Sequence, residues 1–169
     1  MDIIEGILTR RSIRRFTGEV ISEENIEVLL RAGFAAPSAH NYRPWHFIVI
    51  KDKLTLEKIT TFHPYSKMLP QAGCGIVVCG DGNAQKLEGF MIADCAAAIQ
   101  NMLLAANGLG LGSVWCGLHP VTELTGPMKE LLNLPDNITP IGLVVVGHTD
   151  EKKGSWNRYD EGKVHKDKW

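Results

Sequence analysis

The sequence lacks the signals that most directly betray chemistry. Its four cysteines, Cys74, Cys79, Cys95 and Cys116, form no C-x-x-C pair and no zinc-clip spacing. Three stand in apolar, strand-like stretches and Cys95 in a helical one, so they read as small buried hydrophobes. A nucleophilic role would need a neighbouring base, and none is visible. The histidines at 40, 46, 63, 119, 148 and 165 include no i,i+4 pair and no cluster with carboxylates, so no metal site is expected. Neither G-x-x-x-x-G-K-[ST] nor G-x-S-x-G occurs, and P-loop and α/β-hydrolase readings lose their signatures. An excess of one charge is also missing: 18 Lys and Arg face 19 Asp and Glu, for a net charge of −1. Global charge therefore gives no pull toward nucleic acid. The start, Met1-Asp2-Ile3-Ile4-Glu5, has no basic n-region, and no apolar run reaches the roughly 20 residues that cross a bilayer. A cytoplasmic protein without membrane or nucleic-acid partners is expected. There is no repeat and no low-complexity tract.

What is there is an ordinary globular composition, 44% hydrophobic and 22% charged, over 169 residues. That length fits one domain, 1–169, with a core of its own. Helices are expected over 2–9, from an N-cap at Ser22 to Ala36, and over 52–62, 86–107 and 121–132. Strands are expected over 45–51, 74–80, 113–117 and 138–148. Residues 86–107 are apolar nearly all round, which predicts burial in the core or against another subunit. Long helices between strands predict an α+β fold with a mixed central sheet flanked by helices. From Thr149 the chain turns polar yet keeps Trp156, Tyr159, Val164 and Trp169, as an arm lying on something would.

Three stretches invite a functional reading. The glycines at 108, 110 and 112 resemble a dinucleotide fingerprint in composition, but they close a helix and open a strand, the reverse of what a pyrophosphate site needs. A helix C-cap explains them better. Arg10, Arg11, Arg14 and Arg15 surround Ser12 and Ile13. This cluster fits a solvated cationic helix end, a nucleic-acid contact, or a phosphate clamp of bidentate guanidinium forks. The loop Ala35-Ala36-Pro37-Ser38-Ala39-His40-Asn41-Tyr42-Arg43-Pro44-Trp45-His46-Phe47 offers several polar groups stiffened by two prolines. Either it presents them to a planar polar ligand, or they satisfy one another.

Together these stretches resemble the nitroreductase family of flavoproteins. RRSIRRF (10–16) is similar to that family's R-R-S-x-R, and APSAHNYRPWHF (36–47) to A-P-S-x-x-N-x-Q-P-W-x-F. GLGSVWCGLHP (110–120) is similar to G-L-G-x-x-W-x-G, and RYDEGKVHKDKW (158–169) to the C-terminal R-x-x-x-x-x-x-H-x-x-x-W of short members. The four occur in order and span nearly the whole chain. The resemblance implies an intertwined homodimer with FMN at the subunit interface. It implies that Arg10, Ser12 and Arg14 hold the phosphate and ribityl, and that Arg11 reaches the flavin edge. Pro37, Ser38 and Asn41 would come from the partner subunit to the isoalloxazine. Trp115, Cys116 and Gly117 would lie along the flavin face or its N5 edge. Arg158 would close over the phosphate, with Lys163 a weaker candidate. The arm 149–169 would wrap the partner.

The implied activity is ping-pong hydride transfer from NADH or NADPH through FMN to a nitroaromatic, quinone or similar acceptor. The cofactor would carry the chemistry, and no side-chain dyad would be required. An FMN-storage protein, a reductive dehalogenase or a flavin-destroying relative are the alternatives. Arg43 replaces the family's frequent glutamine. The chain has little room for the helical insertion that covers the flavin in larger members, so the pocket is open or is built by another loop such as 63–71.

Overall fold

The computed structural model describes every residue except Met1 and Ser155. Among the described residues, five α-helices and four β-strands follow one another, alternating from α2 onward. They are α1 (Ile3–Thr9), α2 (Glu23–Phe34), β1 (Trp45–Ile50), α3 (Lys53–Phe62), β2 (Cys74–Asp81), α4 (Glu88–Gly108), β3 (Gly112–Gly117), α5 (Thr122–Leu132) and β4 (Ile138–Gly147). Local chemistry sets several boundaries. The Ser22 hydroxyl accepts from the Asn25 N–H at the start of α2, and the Asp52 carboxylate accepts from Thr55 N at the start of α3. At the end of α4, Gly110 takes φ +73, and the Leu111 and Gly110 N–H groups donate to the Ala106 and Asn107 carbonyls. That is a Schellman closure, and its left-handed residue is Gly110 rather than Gly108.

The sheet corrects the expected mixed arrangement. Its order is β1-β2-β4-β3 and all three pairings are antiparallel. The only parallel pairing among the described residues is an isolated bridge between Ser12 and Ser113. The reason lies in the connections. Ile50 pairs with Gly75, so α3 and the segment after it carry the chain out and back to the same end of the sheet. The crossover through α4 does leave β2 and β3 running the same way, as such helices do. β4 then inserts between them, antiparallel to both.

One hydrophobic cluster lies between the sheet, α2 and α4, around Ile76, Ile99, Met102 and Val144. The other lies under α3 and α5, around Leu56, Ile59, Leu69, Met128 and Leu143. The four cysteines are free and buried, as expected. Burial pushes the thiols of Cys74, Cys79 and Cys95 up to about 12 and that of Cys116 to about 11, so none is a ready thiolate.

α4 also corrects the sequence reading on apolar runs, because by length and composition it is long and apolar enough to cross a membrane. Here Met91, Cys95, Ile99, Met102 and Ala106 pack it into the core instead. α1 behaves differently. Its stripe of Ile3, Ile4, Ile7 and Leu8 is exposed, and only Gly6 is buried. The arm is likewise uncovered at Trp156, Tyr159, Val164 and Trp169.

Candidate functional site

β3 is the edge on which the site is assembled. The extended segment after α1 runs beside it, with Ile13 N donating to the Ser113 carbonyl at 2.9 Å. The chain leaving β4 returns to the same segment. Thr17 N donates to the His148 carbonyl at 3.0 Å, and the Thr149 hydroxyl donates to the Arg15 carbonyl at 2.6 Å. Glu151 then accepts from the N–H groups of Arg14 and Arg15 at 3.0 and 3.1 Å, and Lys153 donates to the Ser12 carbonyl at 2.6 Å. Those bonds, to the Arg14 N–H first, hold the Glu151 carboxyl below its usual range. Two segments over 130 residues apart in sequence are thus laced together.

Between them opens a cavity of about 510 Å³ lined by Arg10, Arg11, Ser12, Arg14, Lys153 and Arg158, together with Gly154 and Trp156. Its electrostatics are strained toward an anion. Burial, then the Arg158 and Arg11 guanidinium groups, press the pKa of Arg10 below the usual arginine value. Arg11 donates through Nε to the Gly154 carbonyl at 3.0 Å, and through Nη1 to the Leu8 and Arg10 carbonyls at 2.9 and 2.7 Å. Its Nη2 is buried with no partner among the described residues. A buried guanidinium nitrogen without an acceptor, ringed by further cations, matches a ligand that brings oxygen acceptors and negative charge.

The sequence-predicted residues fall into three groups. Arg10, Arg11, Ser12, Arg14 and Arg158 are brought together in this cavity. Trp115, Cys116 and Gly117 lie on β3 and do not line this cavity, though the charge of Arg14 acts on the Cys116 thiol. The Trp115 ring lies on β4 at Gly142, where a Cβ would collide with its ring nitrogen. Pro37, Ser38 and Asn41 line none of the cationic cavities of their own chain. Their loop is held on the first half of α4. Ala39 N donates to Asp94 Oδ1 at 2.9 Å, Arg43 N donates to the Ser38 hydroxyl at 2.9 Å, and His40, Asn41 and Arg43 all take positive φ. Asp94→Ala should lower stability by about 1–3 kcal/mol by orphaning the Ala39 N–H, a loss that urea denaturation would measure. Lys163 is exposed and pairs with Asp160, at 3.4 Å.

Lys153 and Glu151 are the residues that sequence reasoning missed. Their one local signal was the Lys152-Lys153-Gly154 run inside a tail read as a polar arm.

The nitroreductase family model matches residues 7–62 and 62–148. The chain belongs to the nitroreductase family. It is 40% identical, over its whole length and 88% of the relative's, to a Methanothermobacter thermautotrophicus protein provisionally named an NADH dehydrogenase/NAD(P)H nitroreductase. A Parabacteroides distasonis crystal structure with the same provisional name superposes with a TM-score of 0.95 at 36% identity, covering 99% of this chain and 98% of that one. An FMN-dependent nitroreductase from Clostridium difficile superposes with a TM-score of 0.90 at 27% identity, covering 98% and 99%. This nitroreductase-family protein is accordingly an oxidoreductase, and the resemblance read from its four motifs is borne out.

Proposed function

We propose that this protein is an FMN-binding homodimer that oxidises NADH or NADPH and reduces a nitroaromatic, quinone or similar small acceptor. The observation that carries this is the cationic cavity with its Arg11 Nη2, which has no partner among the described residues. Guanidinium forks fit phosphate oxygens bidentately, and Ser12 adds a neutral donor. Arg10, Arg14 and Arg158 hold the phosphate, and Lys153 adds a fourth charge while tying the arm to Ser12. Trp115, Cys116 and Gly117 border the isoalloxazine. When bound, FMN supplies the hydride transfer in both directions, taking hydride from the nicotinamide and passing it to the acceptor. The chain's own part is to bind, orient and wall off the reactants, and it needs no acid–base pair for that.

The dimer follows from surfaces that one chain leaves bare. Ile3 is 77% exposed and Leu8 64%, and Trp169 at the end of the arm is fully exposed. A contiguous apolar helix face beside an arm rich in aromatics is what a two-fold partner covers. The partner subunit's Pro37, Ser38 and Asn41 then complete the flavin site, whose cationic cavity the same residues do not line within one chain. A cytoplasmic setting fits four free, buried thiols.

The test is a visible spectrum of the purified protein before and after anaerobic NADH or NADPH, with its mass measured by light scattering. The expected result is a two-peaked flavin spectrum that bleaches, from a particle of two chains. A yellow protein that neither nucleotide bleaches would leave FMN storage as the better reading. A colourless protein that takes up no added FMN would overturn the cofactor assignment.

A further inference from the structure

A histidine buried as deeply as the core leucine Leu29 lies beside the end of β3. His63 follows directly on α3 and is 1% exposed. Its Nε2 is 2.9 Å from the Gly117 carbonyl oxygen, and its Nδ1 is 3.3 Å from the Tyr65 backbone nitrogen. A peptide N–H only donates and a carbonyl only accepts, so Nδ1 carries the lone pair and Nε2 the proton. One neutral ring therefore ties the segment after α3 to the end of β3, 54 residues on.

The segment is fastened twice more. The Cys116 thiol donates to the Tyr65 carbonyl at 3.4 Å. The N–H and hydroxyl of Ser66 both donate to the His63 carbonyl, at 3.2 and 2.9 Å, and Ser66 and Leu69 are fully buried. The segment is thus anchored at the buried His63, Ser66 and Leu69, with Pro64, Tyr65 and Lys67 exposed between them. The Tyr65 side chain is 77% exposed, its ring edge-on to His63 with centroids 6.5 Å apart. The ring touches the fold through that edge contact and leaves most of its surface in water. It is a platform whose stacking face is left for something planar.

We propose that His63 is a positioning residue that pins 63–69 against β3, so that Tyr65 forms the wall on which a planar aromatic acceptor rests. This depends on the reading that Trp115, Cys116 and Gly117 border the flavin. In this short chain the pinned segment does the work of a lid. Gln at 63 can reproduce both bonds, with its amide N–H toward the Gly117 carbonyl and its carbonyl toward the Tyr65 N–H. Leu can reproduce neither.

The test has one arm that needs no turnover. Hydrogen–deuterium exchange on the protein without added flavin should show exchange at Tyr65 and Ser66 about tenfold faster in His63→Leu, with His63→Gln close to wild type. In the flavin-loaded enzyme, His63→Leu and Tyr65→Ala should each raise KM for nitrofurazone about tenfold. KM for ferricyanide, a compact ion with no plane to stack, should rise far less, and His63→Gln should recover most of the nitrofurazone loss. Equal exchange in wild type and His63→Leu overturns the pin. An equal KM rise for both acceptors, or no rise in Tyr65→Ala, overturns the wall. Should His63→Leu fail to fold, the Gln and Tyr65→Ala variants still decide. A wild type that binds no flavin would sink the assignment of the site, while the exchange comparison would still judge the pin.

Discussion

Arg10→Ala combined with Arg14→Ala is expected to give a folded protein that purifies without colour. Arg10 is crowded by its own burial and by the Arg158 and Arg11 guanidinium groups, and Arg14 lines the same cavity. Such crowding disfavours the empty site and favours any ligand that brings negative charge. Each charge-assisted hydrogen bond to a phosphate is worth about 1.5–3 kcal/mol, so losing two should raise the FMN dissociation constant by about 10²–10⁴-fold. The fold itself should not suffer. The Arg14 contact that matters to packing is its backbone N–H on Glu151, which alanine keeps. Removing like charges from a crowded cluster should leave the melting temperature of the flavin-free protein level or higher. Arg15→Ala is the control, since Arg15 is exposed and lines none of the cationic cavities. Titration with FMN, followed by flavin fluorescence quenching, reads all three proteins. A double variant that comes off the column fully yellow would show that the phosphate lies elsewhere.

The parts of this protein that its sequence makes legible are those governed by neighbours a few residues apart. Ser22 and Asp52 announce their helices because a cap bonds three residues ahead. The apolar run of β2 and the periodic stripe of α2 mark their elements in the same way. Sheet order is different, because no local rule says that β4, the last strand made, slides between β2 and β3. That insertion brings 149–153 alongside 12–15, which is why Lys153 and Glu151 were invisible beforehand. The arginine cluster was legible as a cluster. Its convergence with Arg158 was not a matter of spacing, and it came only through the family resemblance. α1 shows the opposite limit. Its periodicity correctly predicts a helix with an apolar face, but a pattern does not say whether the rest of the chain covers that face, and here it leaves the face exposed.

The same lacing makes one glycine a lever on the site. A Cβ at Gly112 would stand 2.7 Å from Ile13 Cγ2, 2.7 Å from Thr149 Cγ2 and 3.1 Å from Ile13 Cβ. Both neighbours are β-branched, and the contact with a Cβ cannot be relieved by turning a side chain, so backbone must move. The backbone that moves is the cavity's own. Ile13 lies between Ser12 and Arg14, and Thr149 leads into Glu151 and Lys153. Gly112→Ala should therefore lower stability by about 1–3 kcal/mol through overpacking. It should also weaken FMN binding about tenfold as the two walls part, the equivalent of one lost hydrogen bond. Gly110→Ala separates the two effects. Its φ of +73 makes alanine strained there, at a cost of about 1–2 kcal/mol, yet nothing lies within 4 Å of the added Cβ. Both variants should unfold at lower denaturant, and only Gly112→Ala should lose flavin. If the two retain FMN equally well, the close approach of 13 and 149 over Gly112 is packing alone, and the cavity does not depend on it.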